Sequence, residues 1–88
     1  MAATLAGDPR TVMETLWPLL HRDYVRPVSG DELLRATGLD GPTLALAVRD
    51  LMARPRPYVD AQFDPGRPDR LVEVRLTVDG QMYCRARD

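Results

Sequence analysis

Few residues of this chain belong to the types that perform covalent chemistry, and those few stand alone. His21 is the only histidine, Ser29 the only serine and Cys84 the only cysteine among 88 residues. Nucleophilic catalysis needs a base beside its nucleophile, and a zinc site needs several Cys or His ligands. The glycines do not form the spacing of a phosphate-binding loop. We therefore expect no enzyme, no metal site and no cofactor.

The remaining polar chemistry is that of guanidinium groups. All twelve basic residues are arginine, and half of them lie between residues 49 and 75: Arg49, Arg54, Arg56, Arg67, Arg70 and Arg75. Arginine binds phosphates and base edges through paired hydrogen bonds. The same segment carries five carboxylates, namely Asp50, Asp60, Asp64, Asp69 and Glu73. Interleaved charges of both signs are also typical of a solvated surface, so both interpretations stay open.

Composition indicates one small domain in a reducing compartment. The chain has 44% hydrophobic residues, a net charge of −1 and an isoelectric point of about 5.7. This balance creates no general attraction to nucleic acid. No apolar run reaches the roughly 18 residues of a membrane helix, and the first seven residues do not form a secretion signal. A single cysteine excludes an internal disulfide, so we expect a cytoplasmic location and no membrane contact.

The first element is predicted to be a helix. We expect residues 1–7 to be a flexible N-terminus and residues 8–88 to form the domain. Asp8 followed by proline is typical of a capped helix start. An apolar stripe then runs from Val12 to Leu20 at helical spacing. Pro18 should kink this helix or loosen its preceding turn, and we expect the helix to end near Tyr24.

A pair of helices is predicted between residues 29 and 54. Ser29 and Glu32 have the spacing of a capping box. Gly38 suits the left-handed end of a helix, and Asp40 can cap the next one. The predicted core face of that second helix consists of Leu44, Ala47, Val48 and Leu51.

A two-stranded hairpin should follow, with strands at Tyr58–Phe63 and Leu71–Leu76 around a loop at residues 64–69. The segment after it has two interpretations. Thr77 can cap a last short helix that contains Met82. Alternatively, Asp79 and Gly80 can form a hairpin turn into a third strand.

This pattern resembles the winged helix-turn-helix superfamily, most closely the MarR-like bacterial transcriptional regulators. The resemblance covers about residues 10–84. It rests on residues 38–44 (Gly-Leu-Asp-Gly-Pro-Thr-Leu), on Leu51, and on residues 71–80 (Leu-Val-Glu-Val-Arg-Leu-Thr-Val-Asp-Gly). It implies an α+β fold of three helices with a two-stranded or three-stranded β-wing, and it favours a helix after Thr77.

The resemblance also implies a function, that of a prokaryotic transcriptional regulator that binds DNA. The recognition helix, at about residues 41–53, would enter the major groove, and the wing at residues 64–70 would contact the backbone. The DNA-binding residues would be Thr43, Ala45, Leu46 and Arg49 on the outward side of the helix, with Arg67 and Arg70 on the wing. The protein would act as a homodimer or as part of a larger complex.

The alternative is a winged-helix module that binds a protein partner and no DNA. Leu46 is aliphatic and cannot form paired hydrogen bonds with a base edge. Together with Pro42 and Ala45 it could form an apolar docking patch. The acidic isoelectric point and the mixed charges of the wing also favour this alternative. A third interpretation is that the chain is one subunit or domain whose function resides elsewhere.

Overall fold

The computed structural model describes residues 5–87, which form an α+β fold with four helices and a three-stranded antiparallel sheet. The elements in chain order are α1 (Gly7–Leu19), β1 (Val28–Ser29), α2 (Gly30–Thr37), α3 (Gly41–Met52), β2 (Val59–Asp64), β3 (Arg67–Leu76) and α4 (Val78–Arg87). The predicted helix after Thr77 is confirmed as α4, and the described helices number four instead of three.

The sheet is built around β3, which pairs with β1 on one edge and with β2 on the other. Val28 lies opposite Val74, and Val59 lies opposite Leu76. The register of the β2–β3 ladder shifts on both sides of Phe63. The third strand is therefore the short β1 before α2, and the segment after Asp79 is not a strand. The loop between β2 and β3 is also shorter than predicted, because β3 begins at Arg67.

One apolar core joins the helices to the sheet. All four residues of the predicted core face of α3 are buried. They pack in one cluster with side chains from α1, α2 and the three strands, including Leu16, Leu33, Val28, Val59 and Val74. No charged or polar residue in the described part of the chain is buried. This packing fixes how α3 is rotated, and hence which of its side chains face outward.

The start of α1 differs from the prediction. The helix begins at Gly7, and its N-cap residue is Ala6, which makes no side-chain capping bond. Asp8 is therefore not the cap. Leu5 is fully buried, and Gly7 already belongs to the helix. Burial of Leu5 holds the chain against the core and lets the helix begin earlier. Residues 1–4 of the predicted flexible segment lie outside the described residues.

The end of α1 also differs, because the helix stops at Leu19 and not near Tyr24. Pro18 has no backbone N–H and cannot continue the α-helical ladder. The amides of Leu20 and His21, just after the helix, donate to the carbonyls of Trp17 and Pro18, three residues back. His21 then adopts a left-handed backbone with a φ of 49°. The helix thus ends one residue after Pro18.

The Ser29 and Asp40 caps predicted for α2 and α3 are confirmed, but only the Ser29 half of the capping box is seen among the described residues, because the Glu32 carboxylate lies near Arg26. The Glu32 amide donates to Ser29 Oγ at 3.1 Å, and the Thr43 amide donates to Asp40 Oδ1 at 2.8 Å. Gly38 ends α2 with a φ of 73°. Only two residues lie between Gly38 and α3, so these local bonds set the tight connection between the two helices.

None of the helices described within residues 5–87 has both the length and the apolar character that crossing a membrane requires.

Candidate interaction face on helix α3

The outward side of α3 is formed by Pro42, Thr43, Leu46 and Asp50, which we call the α3 face. Because the core residues hold the opposite side of the helix, residues at this spacing point away from the sheet. Leu46 is 70% exposed and is the only large aliphatic side chain on the α3 face. An aliphatic group at this position offers no hydrogen bond to a ligand.

Ala45 was expected on the outward side of the helix, and this expectation is wrong. It is only 1% exposed. The helix packs against α1 as well as against β2 and β3, so its buried arc is wider than the one stripe that the spacing predicts. Ala45 falls within that wider arc. It therefore cannot touch a binding partner unless the protein rearranges.

Arg49 is exposed at the surface, but its guanidinium group is held by the protein itself. Its Cζ lies 3.9 Å from the centre of the Phe63 ring, and its Nη2 donates to the Pro68 carbonyl oxygen at 2.7 Å. A planar guanidinium that stacks on an aromatic ring and also donates a hydrogen bond has a fixed direction. The single cationic side chain of α3 therefore points to the β2–β3 hairpin and joins the two elements.

The hairpin carries the other two arginines predicted to bind DNA. Arg67 and Arg70 lie in the first four residues of β3, and all residues from 65 to 70 are exposed. Arg70 Nη2 lies 4.0 Å from a carboxylate oxygen of Asp31 on α2. A pair this long and this exposed contributes little to stability, so it leaves the guanidinium group accessible. The structure thus groups Arg49 with the hairpin arginines and leaves Thr43 and Leu46 on the α3 face.

An open groove of about 390 Å³ lies between the start of α1 and the α3 face. It is lined by Asp8, Pro9, Thr43, Leu46, Ala47 and Asp50. No basic side chain lines it. Asp50 accepts a hydrogen bond from Arg54 Nη2 at 3.1 Å across an exposed ion pair. The sequence pattern does not predict this groove, because it assigns Asp8 to a helix cap.

A third carboxylate lies at the start of α3. Hydrogen bonding from Thr43, through its side chain and then its backbone amide, lowers the pKa of Asp40 below its usual value. Asp40 is therefore negatively charged at neutral pH. Its charge offsets the positive end of the helix dipole, which would otherwise attract a phosphate. The start of α3 consequently does not favour an anionic ligand.

The three residues whose types could perform covalent chemistry have other roles. Ser29 caps α2, His21 lies in the turn after α1, and Cys84 is buried in the core. Within residues 5–87, no group of three His, Cys, Asp or Glu side chains is placed to hold a metal ion.

A smaller cleft of about 240 Å³ lies between α1 and α4. Glu14 bridges this cleft, because it pairs with Arg10 on its own helix and lies 3.7 Å from Arg87 Nη2 on α4. One of the protein's own ion pairs, that between Glu14 and Arg87, thus crosses the cleft.

No family model, no curated protein and no solved structure matches the chain. Its function is therefore inferred from the α3 face, the groove and the hairpin.

Proposed function

We propose that the chain has a winged-helix arrangement. In this arrangement α2 and α3 are the helix-turn-helix and the β2–β3 hairpin is the wing. The order of the elements and the position of β3 between β1 and β2 support this assignment. The contact of Arg49 with the hairpin supports it as well, since a wing must lie beside the recognition helix.

We further propose that the domain is a protein-interaction module and that its α3 face docks a partner protein in the cytoplasm. The observation that carries this proposal is the exposure of Leu46 in a groove whose charged lining residues are both carboxylates. An exposed aliphatic group gains free energy when a partner protein covers it. The hydroxyl of Thr43 is the only hydrogen-bonding group on the α3 face that suits a base edge without carrying negative charge.

The charges near α3 also favour a protein partner over DNA. A DNA backbone that approached this side would bring phosphates toward Asp8, Asp40 and Asp50. Like charges at an interface weaken binding and slow association. The guanidinium of Arg49 is directed toward Phe63 and Pro68 on the hairpin and not toward these carboxylates.

The second candidate function is that of a DNA-binding transcriptional regulator, as the resemblance implies. The exposure of Arg67 and Arg70 on the hairpin favours it. The hairpin would then contact the backbone while α3 lies in the major groove. With so few base contacts, specificity would depend on the shape of the DNA.

A fluorescence-anisotropy titration with mixed-sequence duplex DNA, at low and at moderate salt, separates the two functions. We expect the wild-type protein not to bind at low salt. Salt-sensitive DNA binding in the micromolar range would overturn the protein-interaction proposal, provided that the double variant Arg67→Ala/Arg70→Ala binds the DNA more weakly. In that case the slope of log K against log salt should fall by about 0.9 for each phosphate that the variant no longer neutralises. Leu46→Arg would preserve or raise such binding.

A positive test uses a photocrosslinking amino acid at position 46, with the same amino acid at the exposed Val72 as the control. We expect a protein adduct from position 46 and none from position 72. In a second variant the crosslinking amino acid replaces Thr43. Combining it with Leu46→Arg should abolish the adduct formed from position 43, because a positive charge would be buried at the contact. Equal adducts from both positions would contradict a specific α3 face.

A further inference from the structure

We propose that the groove between α1 and the α3 face binds a basic segment of the partner protein, with an aliphatic side chain flanked by arginine or lysine. This inference rests on the protein-interaction function and adds the chemistry of the partner. It follows from the apolar floor of the groove, from the sign of the charge at its edges, and from its volume.

The apolar part of the groove consists of Leu46 and Ala47 on α3 and Pro9 on α1. Leu46 is largely exposed, whereas Ala47 is buried beneath it in the core. A volume of about 390 Å³ lies at the lower end of the range of roughly 300–1,000 Å³ that is typical of binding pockets. The groove therefore suits one or two aliphatic side chains of a partner segment and not a whole domain.

The carboxylates at the edges come from two different elements. Asp8 belongs to the first turn of α1, and Asp50 belongs to the last turns of α3. Asp8 does not cap its helix, and it has no hydrogen-bond or ion-pair partner within residues 5–87. The bond from Arg54 to Asp50 is exposed and easily shared with a second cation. A segment with a cationic residue on each side of its aliphatic residue would thus meet a carboxylate at both edges.

The same charges argue against other occupants. An acidic segment or a nucleic acid would place negative groups against Asp8 and Asp50. A second copy of this chain would bring its own α3 face, and a two-fold contact would oppose carboxylates to carboxylates. Charge complementarity therefore selects a basic partner.

The test is an NMR titration of the ¹⁵N-labelled full chain with three synthetic peptides. The basic–apolar peptide has two leucines flanked by arginines, the acidic–apolar peptide replaces the arginines by glutamates, and the basic–polar peptide replaces the leucines by serines. We expect the basic–apolar peptide to shift the amides of Asp8 and residues 43–50. The other two peptides should bind at least tenfold more weakly.

Variants then show whether the peptide lies in the groove. Leu46→Ser, or Asp8→Asn combined with Asp50→Asn, should weaken binding of the basic–apolar peptide at least fivefold. Val72→Ser, at an exposed position on β3, is the matched control and should leave the affinity unchanged. The amide spectrum of each variant also reports whether it is folded.

Every other outcome would overturn the inference, and each would point to a different explanation. No effect of Leu46→Ser, or no binding of the basic–apolar peptide, would refute the proposed occupant. Preferred binding of the acidic–apolar peptide at the same amides would refute it while the protein-interaction function stands. The same shifts with duplex DNA would refute that function too. Concentration-dependent shifts without any peptide would assign the groove to a second copy of the chain.

Discussion

The guanidinium of Arg49 connects α3 to the hairpin through two interactions of different kinds. The stack on Phe63 needs a planar cation, and the hydrogen bond to Pro68 needs a donor at the end of a long side chain. Lysine has the charge but neither the plane nor the fork of donors. Arg49 therefore acts within the protein, and it positions the hairpin beside the helix.

For this reason Arg49→Lys should loosen the hairpin. We expect faster amide hydrogen exchange at residues 64–70 and a decrease of about 1 kcal/mol in the free energy of unfolding. Arg75→Lys is a suitable control, because Arg75 is an exposed arginine on the same sheet. If exchange in the hairpin is the same in both variants, Arg49 does not position it.

Two adjacent residues of α3 provide a second test at this scale. Leu46→Arg adds a charge at an exposed position and should change the free energy of unfolding by less than about 0.5 kcal/mol. Ala45→Arg forces a long cation into a buried position and should cost more than about 3 kcal/mol. Urea denaturation measures both variants. Equal stability of the two would contradict the assigned rotation of α3.

Among the elements, α2 approaches β3 more closely than a side chain would allow. A methyl group placed on Gly30 would overlap the backbone carbonyl of Leu71. Gly41 has the same position at the start of α3. A methyl group placed on Gly41 would lie 3.8 Å from its nearest neighbour, the Asp69 carbonyl oxygen. The two helices thus begin in similar sequences but under different packing.

We therefore expect Gly30→Ala to lower the free energy of unfolding by at least about 2 kcal/mol, because the backbone of either α2 or β3 must move to make room for the methyl group. Gly41→Ala is the matched control and should lower the free energy of unfolding clearly less, because its methyl group meets no close atom and the main cost is the strain that Pro42 imposes on a helical alanine before it. Thermal and urea unfolding would report both effects. Comparable decreases in the two variants would show that the start of α2 is not the tighter site.

The sequence predicts those features of the elements that depend on bonds between residues close together in the chain. It does not predict those that depend on contacts formed only in the folded core. The caps at Ser29 and Asp40 are bonds between residues three apart, and the residue types and spacing predict both. The start of α1 is not predictable in this way, because the burial of Leu5 depends on the folded core. Likewise, spacing predicts the exposure of Leu46. It does not predict that Arg49 turns toward Phe63, which lies fourteen residues further along in another element.

For the whole molecule, acidification should lower stability through the carboxylates that the fold keeps charged. The pKa of Asp40 is lowered by hydrogen bonds from Thr43, and the pKa of Glu14 is lowered by its hydrogen bond with Arg10. A pKa that is lower in the folded than in the unfolded chain adds stability above the unfolded value. That stability disappears as the pH falls through the folded value.

The contribution of Asp40 can be isolated with Asp40→Asn, which keeps a capping oxygen but does not titrate. We expect the wild type to become less stable relative to this variant only as the pH falls below the ordinary aspartate pKa of about 3.9, because there the unfolded chain binds a proton at Asp40 while the lowered pKa keeps the folded Asp40 charged. Asp40→Ala should be less stable than both at neutral pH. Unfolding midpoints between about pH 2.5 and pH 7 provide the measurement. A constant difference between wild type and Asp40→Asn over that range would contradict the charged cap.

The pairing of Val28 with Val74 also has a consequence for the synthesis of the protein. The central strand of the sheet is made last, after both of its neighbours. At a translation rate of roughly 5–20 residues per second, β1 waits several seconds for its partner. During that interval the apolar side chains of the helices have no sheet to cover them. Although α1, α2 and α3 can already pack on one another, the apolar core cannot close until β3 has been made, and a chaperone would find apolar surface to bind in that interval.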